Sequence, residues 1–199
     1  MQEQDAFVST FAFLEASKEN KIGEIIEKYQ DMVFNLSLGY LRSREEAEEV
    51  TQDVFVEVYH SLENFRSESS LQTWIYRITA NKCLDRIRYY KRKKRFAVFT
   101  SLFGEKSGEE LYPTHSFEHP GIRIENKELG KTLFQAISEL PGRQQTAFLL
   151  SHVEHLKTRE IAEIMESTEK TAESLIYRAK ENLKIKLKNV YEGRVKTKK

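Results

Sequence analysis

Cations and tyrosines are concentrated in residues 82–95, and side chains of these two types bind nucleic acid. The segment reads KCLDRIRYYKRKKR and holds eight basic residues against Asp85, a net charge of +7 in 14 residues. Lysine and arginine neutralise phosphates, and aromatic rings stack on unpaired bases of any sequence. Cations also suit the end of a helix, but +7 exceeds what that role needs. The segment therefore predicts a surface that contacts nucleic acid.

An acidic segment over residues 44–57 carries the opposite charge. Six carboxylates stand there against Arg44, a net charge of −5. Such a surface repels a phosphate backbone, so we expect it to face away from bound DNA. It is typical either of a docking surface for a basic protein or of a solvated helix face.

The last part of the chain has the pattern of two helices separated by a short turn. A helix that begins after Thr158 as its N-cap, a turn at 166–168 and a long last helix together predict a helix-turn-helix. The last helix has an apolar stripe that we expect to be buried, formed by Ala172, Leu175, Ile176 and Ala179. Its opposite face is polar and suited to base edges and phosphates in a major groove. An ordinary helical hairpin with a solvated face is the alternative.

One string resembles a catalytic metal site. His115, Glu118 and His119 match H-x-x-E-H, an inverted zinc-protease pattern that needs both histidines on one helix face. Pro113 and Pro120 bracket the string, and the residue before a proline is disfavoured in a helix. A small metal-dependent hydrolase therefore remains only a competing hypothesis, which the metal content of the purified protein would test.

The rest of the sequence offers no catalytic arrangement. His152 and His155 are spaced by three, and we expect them at the surface. Neither a Ser/His/Asp set nor a carboxylate pair stands out, and no glycine-rich phosphate loop is present. We therefore predict that the protein is not an enzyme and uses no cofactor and no metal.

The elements that must position these residues are helical. Among 199 residues there are only eight glycines and three prolines, and apolar spacing of three and four predicts helices over 22–41, 45–62 and 71–95. The apolar stripe of the third helix changes sides along its length, so we expect that helix to be packed on both sides. Further helices are predicted over 129–140 and 143–154.

Helical periodicity fails between the two halves. The fold class is therefore all-α, with two small helical domains joined by a flexible linker: 1–96, a linker 97–125, and 126–199 with the helix-turn-helix. Cys83 is the single cysteine, and neither a signal peptide nor a run of ~18 apolar residues is present, which favours the cytoplasm and no membrane insertion.

Together these strings resemble a bacterial RNA polymerase sigma factor of the extracytoplasmic-function (ECF) group. EAEEVTQDVF at 46–55 is similar to the family's acidic core-binding string, and LQTWIYRITAN at 71–81 is similar to its F-x-x-W-L-Y-R-I-A-x-N. Leu140-Pro141, REIAE at 159–163 and TAESLIYRAK at 171–180 resemble its promoter-reading helix-turn-helix.

The resemblance implies three partners: core RNA polymerase, promoter DNA and an anti-sigma factor, which members of the family commonly have. It assigns polymerase binding to Glu48, Glu49, Gln52 and Asp53. It assigns the melted −10 element to Asn64, Phe65, Ser69, Ser70, Asn81, Asp85, Arg88, Lys91 and Arg92. It assigns the duplex −35 element to Thr171, Glu173, Ser174, Tyr177, Arg178 and Lys180.

Two local departures from the family pattern affect the second domain. Glu166 and Ser167 stand in the turn where the family has glycine and a bulky aliphatic residue. A left-handed backbone conformation is less favourable for glutamate than for glycine. Glu173 stands where many members carry a base. A helix-turn-helix regulator that binds duplex DNA as a dimer without polymerase is the main alternative, but it leaves the acidic string unexplained.

Overall fold

Helices form every regular element that the structure describes. The structure is a computed structural model, and it describes the backbone of residues 2–102 and 127–197, with side chains over 20–93 and 128–188. The helices are α1 (Gln2–Leu41), α2 (Arg44–Ser61), α3 (Leu71–Leu102), α4 (Lys127–Ser138), α5 (Gly142–His152), α6 (Thr158–Ile164) and α7 (Glu169–Thr197). The prediction of an all-α chain with two helical units is confirmed.

The N-terminal unit consists of α1, α2 and α3 packed side by side. Its core contains Val33, Leu36, Val54 and Ile75, all of them fully buried. Burial of a valine, leucine or isoleucine side chain stabilises a fold by about 1.5–3 kcal/mol, so this apolar stripe fixes how the three helices pack. Ser43 separates α1 from α2, since its hydroxyl accepts a hydrogen bond from the Glu46 amide at 3.2 Å and caps α2.

The C-terminal unit is built on α4, α5, α6 and α7. Phe134, Ile137, Leu149 and Ile161 form its buried centre, and α7 contacts the other three helices of the unit. In α7 the buried positions are Ala172, Ala179 and Leu183, whereas Leu175 and Ile176 are only half-buried. The predicted apolar stripe of α7 is therefore shifted toward Leu183.

Two predicted helix boundaries are wrong, and in both cases the helix is longer than expected. α1 begins at Gln2 rather than residue 22, and α3 ends at Leu102 rather than residue 95. Neither extension contains a proline or a glycine that would break a helix; the next glycine after α3 is Gly104. Residues 97–102 are thus helical, and the rest of the predicted linker lies outside the described residues, as does the H-x-x-E-H string at 115–119.

The prediction that α3 packs on both sides is confirmed. α1 and α2 cover one side, and α6 of the C-terminal unit covers part of the other. Leu84 lies on this second side, where its Cδ2 would stand 3.2 Å from a Cβ at Gly142. A side chain at Gly142 would therefore require the end of the Leu84 side chain to shift by a few tenths of an ångström.

Candidate protein and nucleic-acid interfaces

An apolar groove runs along the surface between α1 and α2. Its volume is about 550 Å³, and Ile22, Ile26, Phe55 and Val56 supply much of its wall. Val56 is 56% exposed, which is unusual for a valine in a helix whose other apolar residues are buried. An exposed apolar depression with a polar rim is typical of a protein-binding surface. The charges of α2 were identified from the sequence, but this groove was not predicted. The residue that could have indicated it is Val56, which is exposed between buried valines.

The acidic face of α2 divides into two parts with different surroundings. Arg86 of α3 lies 2.9 Å from the Glu49 carboxylate, 3.2 Å from Glu46 and 3.3 Å from Asp53. The Tyr90 hydroxyl also donates to Glu46. Two of the residues assigned to polymerase, Glu49 and Asp53, thus share one cation of the same chain with Glu46, and their side chains remain more than half exposed.

The other two residues assigned to polymerase face outward. Glu48 pairs with Arg44 of its own helix at 2.8 Å, and both side chains are at least half exposed. Gln52 lies on the rim of the apolar groove. Together, Glu48, Gln52 and Val56 form a continuous outward row at spacing of four on α2, which we call the α2 row.

The loop before α3 holds the first set of residues assigned to the −10 element. Asn64 ends a short 3-10 turn, and the Phe65 ring packs against Trp74 with centroids 5.0 Å apart. The Ser70 hydroxyl accepts a hydrogen bond from the Thr73 amide at 3.0 Å, so Ser70 caps α3. Ser69 is half-buried beside it. The loop is therefore anchored at Phe65 and Ser70, while Asn64 is left exposed.

The second set of −10 residues lies along α3. Asn81, Asp85, Arg88 and Lys91 are exposed at spacings of three or four, so they share one face, and the exposed Arg92 lies next to Lys91. Asp85 and Arg88 form an exposed ion pair at 2.7 Å. The face continues past Arg92, but the side chains of Lys94 and Arg95 lie outside the described residues. The loop and this face together make one surface with an aromatic residue at one end and cations at the other.

The helix-turn-helix is present, with the unusual turn that its sequence implied. Glu166 has a φ of 48°, in the left-handed region, and the Ser167 amide donates to the Ala162 carbonyl at 2.9 Å. α7 then begins behind Thr168, whose hydroxyl accepts from the Thr171 amide at 3.2 Å. The family's glycine is thus replaced by a glutamate without any change in the hand of the turn.

The start of α6 differs from the prediction. Thr158 was expected as the N-cap, but it is the first helical residue and Lys157 occupies the cap position. The Lys157 amide donates to the Glu160 carboxylate at 2.8 Å, which supplies the cap from inside the helix. The Glu160 side chain therefore satisfies the amide of the cap residue, whereas a threonine cap would have accepted from an amide of the first helical turn.

The polar face of α7 points away from the rest of the unit. Glu173, Arg178 and Lys180 are exposed, and Tyr177 is 66% exposed. Thr171 and Ser174 are half-buried, and the Thr171 hydroxyl is hydrogen-bonded to Thr168 at 2.9 Å. The residues assigned to the −35 element therefore lie along one helix face, with Thr171 also committed to the start of α7.

We expect Glu166→Gly to stabilise the turn. A non-glycine residue in the left-handed region costs about 1–2 kcal/mol, and the greater freedom of glycine in the unfolded chain takes back roughly half of that. The ion pair of Glu166 with Arg77 is 75% exposed on the Glu166 side, so its loss costs little. The free energy of unfolding in urea should rise by about 0.5–1 kcal/mol. Glu166→Ala removes the same charge but keeps a Cβ, so an equal gain in that control would contradict the strain argument.

His152 and Cys83 occupy structural positions. The His152 ring stacks on Phe148 with centroids 4.6 Å apart, and burial lowers the pKa of its imidazole. It is half-buried rather than at the surface as predicted. Cys83 is fully buried, and burial raises the pKa of its thiol to about 12, which makes it unreactive.

Two kinds of feature are absent from the residues that the structure describes. None of their helices combines the length and the apolar character that crossing a bilayer requires. Their side chains contain no group of three or more His, Cys, Asp or Glu placed to hold a metal ion.

Comparison with known proteins matches both units separately. Residues 25–93 match the family described as Sigma-70 region 2, and residues 131–183 match Sigma-70, region 4. The chain is 32% identical over 165 residues to the ECF RNA polymerase sigma-E factor of Haemophilus influenzae, covering 82% of this chain and 85% of that protein. It is 28% identical over 174 residues to the ECF RNA polymerase sigma factor SigW of Bacillus subtilis, covering 86% and 91%.

Solved structures share the fold at low sequence identity. CnrH in complex with the cytosolic domain of CnrY has a TM-score of 0.59 at 17% identity, covering 86% of this chain and 90% of that one. The sigma factor RpoE in complex with the anti-sigma factor NepR from Bartonella quintana has a TM-score of 0.60 at 17% identity, covering 84% and 97%. With both conserved regions matched in order, the chain belongs to the ECF group of RNA polymerase sigma factors, which bind core polymerase and direct promoter-specific transcription initiation.

Proposed function

We propose that three chemically different surfaces of this chain have different binding roles in transcription initiation. The apolar groove with the α2 row binds core polymerase, the loop 64–70 with the exposed face of α3 holds the melted −10 strand, and α7 reads the −35 duplex. The observation that carries this proposal is the separation of charge: the carboxylates lie on α2, whereas the cations lie on α3 and α7.

The polymerase surface combines an apolar anchor with an acidic rim. The groove between α1 and α2 accepts apolar side chains, and Glu48 beside it favours a partner that carries basic residues. Glu49 and Asp53 lie beside Arg86 but remain 61% and 57% exposed, so α2 offers these carboxylates to a basic partner together with Glu48. A basic helix with an apolar stripe fits this combination.

The −10 surface suits a single strand rather than a duplex. Phe65 and Trp74 form an aromatic pair behind the loop, and an unstacked base gains about 1–3 kcal/mol by stacking on such a ring. The cations from Arg88 to Lys93 are exposed and attract phosphates. Capture of an unpaired base at the loop would favour strand opening without any catalytic step by this chain.

The chain acts, on this proposal, where polymerase is found, in the cytoplasm, and it needs no cofactor. We also propose a protein inhibitor of the anti-sigma type as a partner, supported by the RpoE relative solved with its anti-sigma factor. The alternative of a helix-turn-helix regulator that acts without polymerase assigns no role to the groove. Transcription in vitro with core polymerase over a promoter library tests the proposal, because a polymerase-independent regulator would give no promoter-specific transcript.

In α7, we predict different effects for Glu173→Ala and Arg178→Ala. A carboxylate at the helix start accepts a hydrogen bond from cytosine N4, and a good pair contributes about 1–3 kcal/mol of discrimination. Glu173→Ala should therefore relax preference at one −35 position, whereas Arg178→Ala, a phosphate contact, should weaken all promoters alike. Transcription from a library of −35 point mutants measures both effects. Wild-type preference and activity in both variants would show that α7 is not the reader.

A further inference from the structure

The backbone of the loop 64–70 contains a residue in a conformation that its type rarely adopts. Ser67 has a φ of 55°, in the left-handed region. Few residues other than glycine adopt a positive φ, and those that do are most often asparagine, aspartate or histidine. The left-handed conformation brings the Cβ too close to the following carbonyl oxygen, so a serine there is strained. Strained backbone of this kind is concentrated at functional sites, where the surrounding structure imposes it.

Two anchors impose this conformation on Ser67. On one side of it, the Phe65 ring packs against Trp74 with centroids 5.0 Å apart. On the other side, the Ser70 hydroxyl lies 2.8 Å from the Thr73 hydroxyl and accepts a hydrogen bond from the Thr73 amide at 3.0 Å. Both ends of the short span between Phe65 and Ser70 are therefore fixed on the N-terminal unit. The chain has to turn within that span, and the left-handed residue is Ser67.

No bond within the span holds Ser67 in place. In the part of the chain that the structure describes, Arg66, Ser67 and Glu68 form no hydrogen bond or ion pair with another described residue. All three side chains are exposed. The Ser67 hydroxyl therefore does not fix the loop, and the backbone conformation is what distinguishes this residue from its neighbours.

A left-handed residue changes the direction in which its neighbours point. In an extended chain, successive side chains point to opposite sides. A residue with a positive φ breaks that alternation, and here the chain bends at Glu68 and Ser69, directly after Ser67. Ser69 is half-buried, whereas Glu68 is exposed. The φ of Ser67 therefore determines which atoms the loop presents on its outer side.

We propose that Ser67 is a positioning residue for base selection at the −10 element: its left-handed conformation determines which atoms of the loop 64–70 meet the captured base. The inference rests on the proposed function, in which this loop holds an unpaired base. The sequence assigned four residues of the loop to the −10 element but not Ser67, because a serine does not reveal its own φ. A hydrogen bond to a base needs a defined distance and angle, so a change in loop direction changes which base fits.

Two substitutions at Ser67 separate the backbone conformation from the hydroxyl. Ser67→Gly removes the hydroxyl, but glycine adopts a positive φ readily. Ser67→Thr keeps the hydroxyl, but a β-branched residue with a positive φ is a genuine outlier. If the conformation positions the loop, Ser67→Gly keeps the base preference of the parent and Ser67→Thr loses it. If the hydroxyl itself contacts the base, the two results are exchanged.

The measurement uses the full chain assembled with core polymerase. Labelled single-stranded oligonucleotides carry each of the four bases at each −10 position, and titration gives the affinity for each one. The ratio of affinities for the best and the second-best base should fall about 5-fold in Ser67→Thr and stay within about 2-fold of the parent in Ser67→Gly. Ser67→Asn should behave as Ser67→Gly does, because asparagine also tolerates a positive φ.

A matched control separates this effect from backbone strain in general. His155 has the same φ of 55° and is exposed, but it lies between α5 and α6 in the C-terminal unit. His155→Thr creates the same conflict between a branched Cβ and a left-handed backbone. It should lower the melting temperature of the chain, while its −10 base preference should match the parent. Circular dichroism should show the same helix content in all of these variants, since both positions are exposed and lie outside the helices.

The base preferences decide the proposal. An unchanged preference in Ser67→Thr, or an equal change in Ser67→Gly, would overturn it. An equal change in His155→Thr would also overturn it, because the effect would then follow from strain anywhere in the chain. A parent complex that binds all four bases equally at every −10 position would instead refute the role proposed for the loop. A parent that discriminates, together with an unaffected Ser67→Thr, leaves that role intact and removes only Ser67 from it.

Discussion

A chain carrying Glu48→Lys and Val56→Asp is expected to lose association with core RNA polymerase while keeping its fold. Both side chains are at least half exposed, and exposed substitutions usually change stability by no more than ~0.5 kcal/mol. Val56 opens into the apolar groove, where a carboxylate would meet an apolar partner unpaired. An anchor of this kind contributes about 2 kcal/mol or more, so affinity should fall by at least about 30-fold. Titration of labelled chain with core polymerase measures the change.

The choice of residues on α2 matters for this experiment. Charge reversal at Glu49 and Asp53 would also remove polymerase contacts under the family assignment, but it would place lysines beside Arg86. Like charges at that distance loosen the packing of α2 on α3, so a loss of binding there would mix two effects. Glu24→Lys, on the face of α1 opposite Ile22 and Ile26, is the matched control. Undiminished binding by the double variant would remove the groove from the polymerase interface.

Replacing Lys91, Arg92 and Lys93 with alanine is expected to weaken binding to every −10 sequence alike and to flatten its salt dependence. Each phosphate contact on a single strand contributes about 0.7 to the slope of log K against log salt concentration, so the slope should fall by about 2. The three side chains are exposed on α3, well after the loop 64–70 in the chain. Affinity for −10 oligonucleotides at several salt concentrations measures this slope.

Two further sets of variants serve as comparisons for the Lys91, Arg92 and Lys93 variant. Alanine at three other exposed lysines, Lys21, Lys28 and Lys131, removes the same formal charge outside the α3 face and should leave the slope almost unchanged. Substitutions of assigned residues in the loop 64–70, including Phe65→Ala, should instead alter which base is accepted, because on the proposed function this loop surrounds the captured base, and they leave the cations intact. If the α3 variant changed base preference, or the control lysines lowered the slope equally, the phosphate role of this segment would be wrong.

The sequence by itself determined the helical class, the division into two units and the chemistry of each face. Spacing of three and four residues determines which side chains of one helix lie on the same side. This information concerns only residues that are close together in the chain. The five strings similar to the ECF family are local patterns of the same kind. The strained turn was predictable too, since a glutamate in the glycine position must adopt a positive φ if the turn keeps its shape.

Only the tertiary structure decided what each face touches. Glu49 and Asp53 read as free carboxylates in the sequence, yet Arg86, more than 30 positions away, lies against both. Val56 is one of several apolar residues in α2, and only the structure shows that it is exposed in a groove. The second apolar side of α3 predicted a packing partner but did not identify it. That partner is the C-terminal unit, which is also joined to the N-terminal unit by a hydrogen bond between residues 106 positions apart. Such contacts depend on how whole helices pack, and no local spacing records that packing.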